Sequence, residues 1–110
     1  MSTDNGVFGI RLLTDCMAPR YYRGESVVAD RERRFAVGDD LYIELHGSPP
    51  IVRRFMRLEG ADLVVAQYNP PEEQVVPIDK VRRIFKVLRN AEGFEYFEAM
   101  PVLHEASDAR

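Results

Sequence analysis

Residues 14–25 read Thr-Asp-Cys-Met-Ala-Pro-Arg-Tyr-Tyr-Arg-Gly-Glu, and residues 26–30 continue with Ser-Val-Val-Ala-Asp. A nucleophile-type residue, Cys16, therefore stands in a short segment that Pro19 keeps from forming a long helix. Gly24 and Glu25 are typical of a turn, and the apolar residues that follow them predict a short strand. The stretch thus predicts a turn that carries Cys16 and leads directly into a strand.

Further runs of strand-forming residues lie on both sides of this stretch. In residues 41–45, apolar side chains alternate with Tyr42 and Glu44, which is the period of a half-buried strand. The other strands are predicted over residues 6–13, 26–30, 51–59, 63–68, 74–78 and 82–89, with turns at residues 47–50, 59–62 and 69–73. Six or seven short strands of this kind indicate a mainly β fold, either a sandwich or a small barrel.

A chain of 110 residues corresponds to one domain, residues 1–110. Residues 94–100 fit an edge strand or a short helix equally well. The polar end, residues 101–110, is expected to be a frayed tail.

Composition excludes several classes of protein. The net charge of −3 argues against a general nucleic-acid binder, which is usually basic. A single cysteine forms no internal disulfide, no apolar run is long enough to span a membrane, and the N-terminus has no signal-peptide character. Cys16, His46 and His104 lack the spacing of metal ligands. We therefore expect a cytoplasmic protein with no cofactor, no metal and no membrane contact.

The order of these motifs resembles the LexA/phage-repressor self-cleaving peptidases. Their pattern is Ser-Met-x-Pro, a Gly-Asp turn and a strand, and Cys16 stands where that family has its serine. Three later segments are also similar to family segments in the same order: Gly38-Asp39 before a strand, the strand at residues 51–55, and Asn69-Pro70 closing a hairpin. In the strand, Arg53 takes the place of the catalytic lysine. The resemblance is strongest over residues 12–88, and it implies coiled antiparallel sheets with a small barrel-like core.

The two substitutions decide what chemistry the resemblance implies. In the family, a buried neutral lysine takes the proton of the serine, because burial lowers the pKa of the lysine. An arginine stays protonated above pH 12 and offers no lone pair, so Arg53 cannot replace that base. A thiol needs less activation than a hydroxyl, and a nearby cation favours the thiolate. Cys16 and Arg53 are therefore the candidate catalytic positions, and we expect them to be inactive.

The function expected first is a non-catalytic relative of these peptidases, which serves in dimerisation or regulatory protein interaction in transcriptional control. Phe94, Tyr96, Phe97 and Met100 are candidates for its interface, since aromatic and Met residues are enriched in interface cores. No helix-turn-helix pattern is visible, so the chain is either part of a longer repressor or a stand-alone module. An alternative is a peptidase-like enzyme with Cys16 as its nucleophile.

A further alternative is a small β-barrel that binds nucleic acid through a stripe of arginines. The stripe would comprise Arg53, Arg54, Arg57, Arg82 and Arg83, beside Phe55 and Phe85. Because strand residues alternate between faces, Arg53 and Arg57 are expected to share a face from which Arg54 points away. The stripe is therefore split, and direct nucleic-acid contact is not the favoured hypothesis. The acidic pairs Asp39-Asp40 and Glu72-Glu73 are interpreted as solubilising turn charges.

Overall fold

The computed structural model describes residues 7–88 and, as backbone, residues 103–106. Their regular secondary structure is almost entirely β-strand, which confirms the mainly β class. The strands are β1 (Val7–Leu12), β2 (Ser26–Asp30), β3 (Asp40–Leu45), β4 (Ser48–Glu59), β5 (Asp62–Tyr68), β6 (Pro71–Pro77), β7 (Val81–Leu88) and β8 (Leu103–Ala106). One 3₁₀ turn, Ile78–Lys80, joins β6 to β7.

The strands pair in one sheet with the order β6-β5-β4-β3-β7-β2-β1-β8. Strands β3 to β6 follow one another as antiparallel hairpins, and β7 returns to pair with the other side of β3. Strand β1 pairs antiparallel with β2 and parallel with β8. Among the described residues the sheet is open, with β6 and β8 at its edges.

The sheet coils, because β4 and β8 approach each other although four strands separate them in the pairing order. Both of its faces are covered by apolar side chains. Core 1 is formed by β1, β2, β3, β4, β7 and the Cys16 segment and contains Phe8, Ile10, Leu12, Met17, Tyr21, Val27, Ala29, Tyr42, Val52, Phe85 and Val87. Core 2 lies on the opposite face of β3 and contains Leu41, Ile43, Ile51, Phe55, Leu63 and Val65. Strand β3 is thus buried on both faces, which places it at the centre of the fold.

Two predicted turns are wrong in their extent. The turn at residues 47–50 is shorter, since β4 begins at Ser48, which pairs with Leu45, and the hairpin bends at Gly47 with φ of 77°. Prolines 49 and 50 are accommodated because the ladder has a bulge there, between Ile43 and Leu45. Likewise, β6 begins at Pro71, and not after residue 73. A proline fits there because β6 is an edge strand.

The second half of β4 also departs from the expected alternation. The register shifts between Phe55 and Arg57, so Met56 is the extra residue of a β-bulge. The bulge breaks the period of two, and the prediction that Arg53 and Arg57 share a face is therefore wrong.

Two predictions concern the C-terminal part of the chain, residues 94–110. The frayed tail expected at residues 101–110 is wrong for the four residues of β8. Strand β8 lies within residues 101–110, where a frayed tail is expected, and pairs with β1. Residues 94–100, with the proposed interface residues Phe94, Tyr96, Phe97 and Met100, lie outside the described residues. In the part of the chain that the structure describes, no helix is long and apolar enough to cross a membrane.

Candidate functional site

The loop that carries Cys16, residues 13–25, is closed at its base and folded by its own backbone. The N–H of Gly24 donates to the carbonyl of Leu12, and the N–H of Leu12 donates to the carbonyl of Glu25. Gly24 has φ of 90°, which residues with a side chain rarely adopt. Within the loop, Ala18 N–H donates to Asp15 O, and the buried side chains of Met17, Ala18 and Tyr21 anchor the loop in or against core 1.

The hairpin turn between β5 and β6 holds the Cys16 backbone from the other side. The carbonyl of Cys16 accepts hydrogen bonds from the N–H groups of Tyr68 (2.9 Å) and Asn69 (2.8 Å). The side chain of Asn69 donates to the carbonyl of Asp15 at 3.3 Å. The segment with Cys16 and the turn with Asn69-Pro70, two of the motifs that carry the resemblance, are therefore in direct contact.

Arg53 reaches the same place from the middle of β4. Its Nη1 lies 3.2 Å from Sγ of Cys16 and also donates to the carbonyl of Val52 at 2.9 Å. Its Nε donates to Oε1 of Gln74 at 2.6 Å. Only 3% of Arg53 is exposed, and these three bonds hold its guanidinium in place. Arg53 is therefore not a mobile surface charge. The two candidate positions, 37 residues apart in the chain, are thus in contact.

Cys16 and Arg53 line a cleft of about 900 Å³ between the Cys16 loop and strands β4 to β6. Its polar lining residues are Thr14, Asp15, Cys16, Ser48, Arg53, Gln67, Asn69, Glu72 and Gln74, and its apolar lining residues are Leu45, Pro49, Ile51, Pro70, Val75 and Val76. A concave site that combines an apolar wall with a few convergent polar groups is typical of ligand-binding sites.

Two hydrogen-bond donors lie next to the thiol. Arg53 donates to Sγ, and the hydroxyl of Thr14 lies 3.5 Å from the same sulfur atom. A guanidinium has only donors, so it cannot take a proton from a nucleophile. The arrangement can hold a thiolate or orient a thiol, but Arg53 supplies no general base.

One buried group near the site was not identified from the sequence. The sequence predicts a turn charge at Asp40, but this residue begins β3, is 2% exposed and accepts a hydrogen bond from Nε of Arg20 at 2.5 Å. The hydroxyl of Tyr68 lies 3.5 Å from its other oxygen atom. Burial, and after it the negative charge of Asp40, raises the pKa of Tyr68 and of Tyr21. Asp40 is two residues before the buried Tyr42, and this spacing is a signal that could have placed both on the inner face.

The other acidic residues of the two pairs stay near the surface. Asp39 accepts the N–H of Ala36 in the turn before β3, as a turn charge does. Glu72 and Glu73 are exposed, but they lie in β6 and not in a turn.

The arginines of the predicted stripe lie in different environments, and Arg82 is exposed. Arg53 is buried in the cleft, Arg57 bonds Glu59 and Glu73, and Arg83 bonds Glu44. Arg54 lies over the ring of Tyr68 at 6.0 Å. Arg57 and Arg83 are each paired with carboxylates, which offset the positive charge that either could offer to a phosphate backbone.

His46 is not among the residues that line the cleft. His46 is exposed in the β3–β4 turn, and of His104 only the backbone in β8 is described. Among the side chains described in residues 7–88, no group of three or more His, Cys, Asp or Glu is arranged to hold a metal ion.

Comparison of the chain with family models, with curated proteins and with solved structures gave no match. The ordered motifs of the sequence and the geometry of the cleft are therefore the two sources from which a function can be argued.

Proposed function

We propose that this chain is a non-catalytic relative of the LexA/phage-repressor peptidases and acts in the cytoplasm in dimerisation or regulatory protein interaction in transcriptional control. The observation that supports the proposal most is the distance of 3.2 Å between Nη1 of Arg53 and Sγ of Cys16. The resemblance assigns these two positions to the nucleophile and the base, and such residues must lie within hydrogen-bond reach of each other.

The identity of the two residues supports the non-catalytic part of the proposal. Arg53 donates to Cys16, Gln74 and Val52, and a guanidinium cannot accept the proton of a nucleophile. Peptide hydrolysis also requires a proton for the leaving amine, and an arginine is a very poor donor for this step. With both transfers missing, association is the role of the family domain that remains.

The edge of the sheet is compatible with association. Strand β6 pairs only with β5 among the described residues, so no described strand bonds the backbone groups on its other side. Edge strands of this kind are templates for pairing with a second chain. Pro71 and Pro77 restrict such pairing to the residues between them.

Sedimentation velocity and light scattering of the purified chain over the micromolar range test the association. The proposal expects a reversible dimer whose fraction rises with concentration. A monomer at every concentration, together with no binding to a repressor-type partner chain, would contradict it. The substitution Val75→Lys, at an exposed position in the middle of β6, tests whether the edge strand forms the contact.

A second candidate function is a peptidase-like enzyme with Cys16 as its nucleophile. It is favoured by the position of the sulfur atom in the cleft, next to a cation that favours the thiolate. This function predicts fast alkylation of Cys16 by iodoacetamide and cleavage of a supplied peptide, both lost in Cys16→Ala. Slow alkylation without cleavage would exclude it.

A further inference from the structure

The loop with Cys16 is attached to the sheet at a second place, which does not include the thiol. Arg20, four residues after Cys16, forms an ion pair with Asp40, the first residue of β3. The carboxylate side chain is 1% exposed, whereas that of Arg20 is 31% exposed. The loop is therefore fixed by a charge that lies inside the protein.

Tyr68 joins this ion pair to Cys16 itself. Its backbone N–H donates to the carbonyl of Cys16 at 2.9 Å, and its hydroxyl lies 3.5 Å from Oδ1 of Asp40. Asp40 is thus approached both from the loop and from the strand end that holds the Cys16 backbone. Cys16 contacts Tyr68, Tyr68 contacts Asp40, and Asp40 contacts Arg20. Residues 17–19 of the loop join Arg20 to Cys16 and close the ring.

Asp40 also lies next to the backbone position that carries Arg53. In the β3–β4 ladder Asp40 pairs with Arg54, and the neighbouring Leu41 pairs with Arg53. The ring of contacts on the Cys16 side and the strand pairing on the Arg53 side therefore meet at the start of β3.

We propose that Asp40 is the positioning residue of the cleft: by binding Arg20 and Tyr68, it holds the thiol of Cys16 against the guanidinium of Arg53. None of the described bonds of Asp40 involves the thiol of Cys16 or the guanidinium of Arg53. Asp40 therefore acts on them through the loop and the sheet. Removing one partner from a buried carboxylate costs free energy, because the charge is then left without compensation. We therefore expect the two bonds of Asp40 to be kept together. The inference concerns the cleft alone and does not depend on self-association or on family membership.

The rate of Cys16 alkylation by iodoacetamide, measured as a double-mutant cycle, tests this role. In the otherwise unchanged chain, Arg53→Gln slows alkylation roughly tenfold, because the cation next to the sulfur favours the thiolate. In the Arg20→Gln background the same replacement changes the rate by less than about twofold, because the thiol and residue 53 are no longer held together. The quantity compared is the ratio of the alkylation rate with Arg53 to the rate after Arg53→Gln. Arg20→Lys keeps the charge and restores part of the tenfold ratio.

A matched control separates positioning from general destabilisation. Arg83→Gln removes an ion pair with Glu44, at 2.7 Å, that also involves β3 but lies outside the cleft. A variant that only weakens the fold lowers the urea midpoint but leaves the effect of Arg53→Gln on the alkylation rate roughly tenfold. We expect this result for Arg83→Gln.

The inference is overturned if Arg20→Gln, folded by circular dichroism, retains the tenfold ratio, or if Arg53→Gln has no effect in the unchanged chain. Should Arg20→Gln fail to fold, Tyr68→Phe carries the same test. It removes a single hydroxyl and leaves the backbone bond to Cys16 in place, and it is expected to reduce the ratio severalfold.

Discussion

The two halves of β4 place the same side chain in opposite environments. In residues 51–55, Arg53 is buried and bonds a thiol, an amide oxygen and a backbone carbonyl. In residues 57–59, Arg57 is exposed and bonds two carboxylates, Glu59 and Glu73. The bulge at Met56 separates the two halves. The difference shows that a one-residue irregularity decides which arginine belongs to the cleft and which belongs to the surface.

The largest effect is expected from Phe55→Ala, in the buried half. Phe55 is 8% exposed and packs edge-to-face on Phe35 with ring centroids 5.7 Å apart. We expect the free energy of unfolding to fall by about 3–5 kcal/mol, because the substitution leaves a cavity in core 2. Urea denaturation measures this change. A loss below about 1 kcal/mol would show that the buried half is not packed as described.

Arg53→Ala is expected to have the next largest effect, a loss of about 3 kcal/mol, because it leaves buried acceptors without their donor. Arg57→Ala is the matched control on the same strand. Its urea midpoint is expected to change little, since exposed ion pairs contribute little to stability. Equal effects of the two substitutions would abolish the distinction between the halves.

The exposed half is expected to respond to pH through Glu73. The hydrogen bond from Arg57 holds the pKa of Glu73 below its ordinary value of 4.5. The pair therefore stabilises the fold fully at a pH above the ordinary pKa of Glu73. This stabilisation is lost as the pH falls through the lower pKa that Glu73 has in the folded state. Glu73→Gln should therefore be slightly less stable than the wild type at neutral pH and equal to it at strongly acidic pH.

Nuclear magnetic resonance titration of the Glu73 carboxyl carbon checks the direction of this pKa. The midpoint should lie below 4.5 and should return toward that value in Arg57→Gln. High salt should reduce the difference, because exposed pairs are screened. A midpoint that is independent of Arg57 would argue against the pair.

The smallest effect is expected from Leu58→Ala. Leu58 is 61% exposed although it pairs across the ladder with Leu63, which is 1% exposed. Urea denaturation should show a change within about 0.5 kcal/mol for Leu58→Ala and a loss of about 2–5 kcal/mol for Leu63→Ala. Similar losses at both positions would mean that the outer half is covered.

The strands with regular alternation could be predicted from the sequence. Residues 26–30 are a strand as expected, and Leu41 and Ile43 lie in core 2. The prediction of a half-buried strand at residues 41–45 is wrong for Tyr42, which is buried in core 1 on the other face. The signal is sufficient there because a period of two is imposed directly by the backbone. The sequence also indicates Cys16 and Arg53 as candidate site residues, and the structure brings them into contact through pairings between distant segments.

The features that were missed depend on the partner strands. The bulge at Met56 arises from the register with β5, and nothing in residues 51–59 marks it. Pro71 was assigned to a loop because edge and central strands cannot be distinguished before the sheet order is known. Asp40 looked like a turn charge because Arg20 and Tyr68, its partners, lie 20 and 28 residues away.

Peptide hydrolysis is the most direct test of the proposal that Arg53 has replaced a general base. The purified chain is incubated with a pool of peptides and analysed by mass spectrometry, with Cys16→Ala as the control. Intact peptides and an intact chain over prolonged incubation are the predicted result. Cleavage by the wild type that disappears in Cys16→Ala would contradict the proposal.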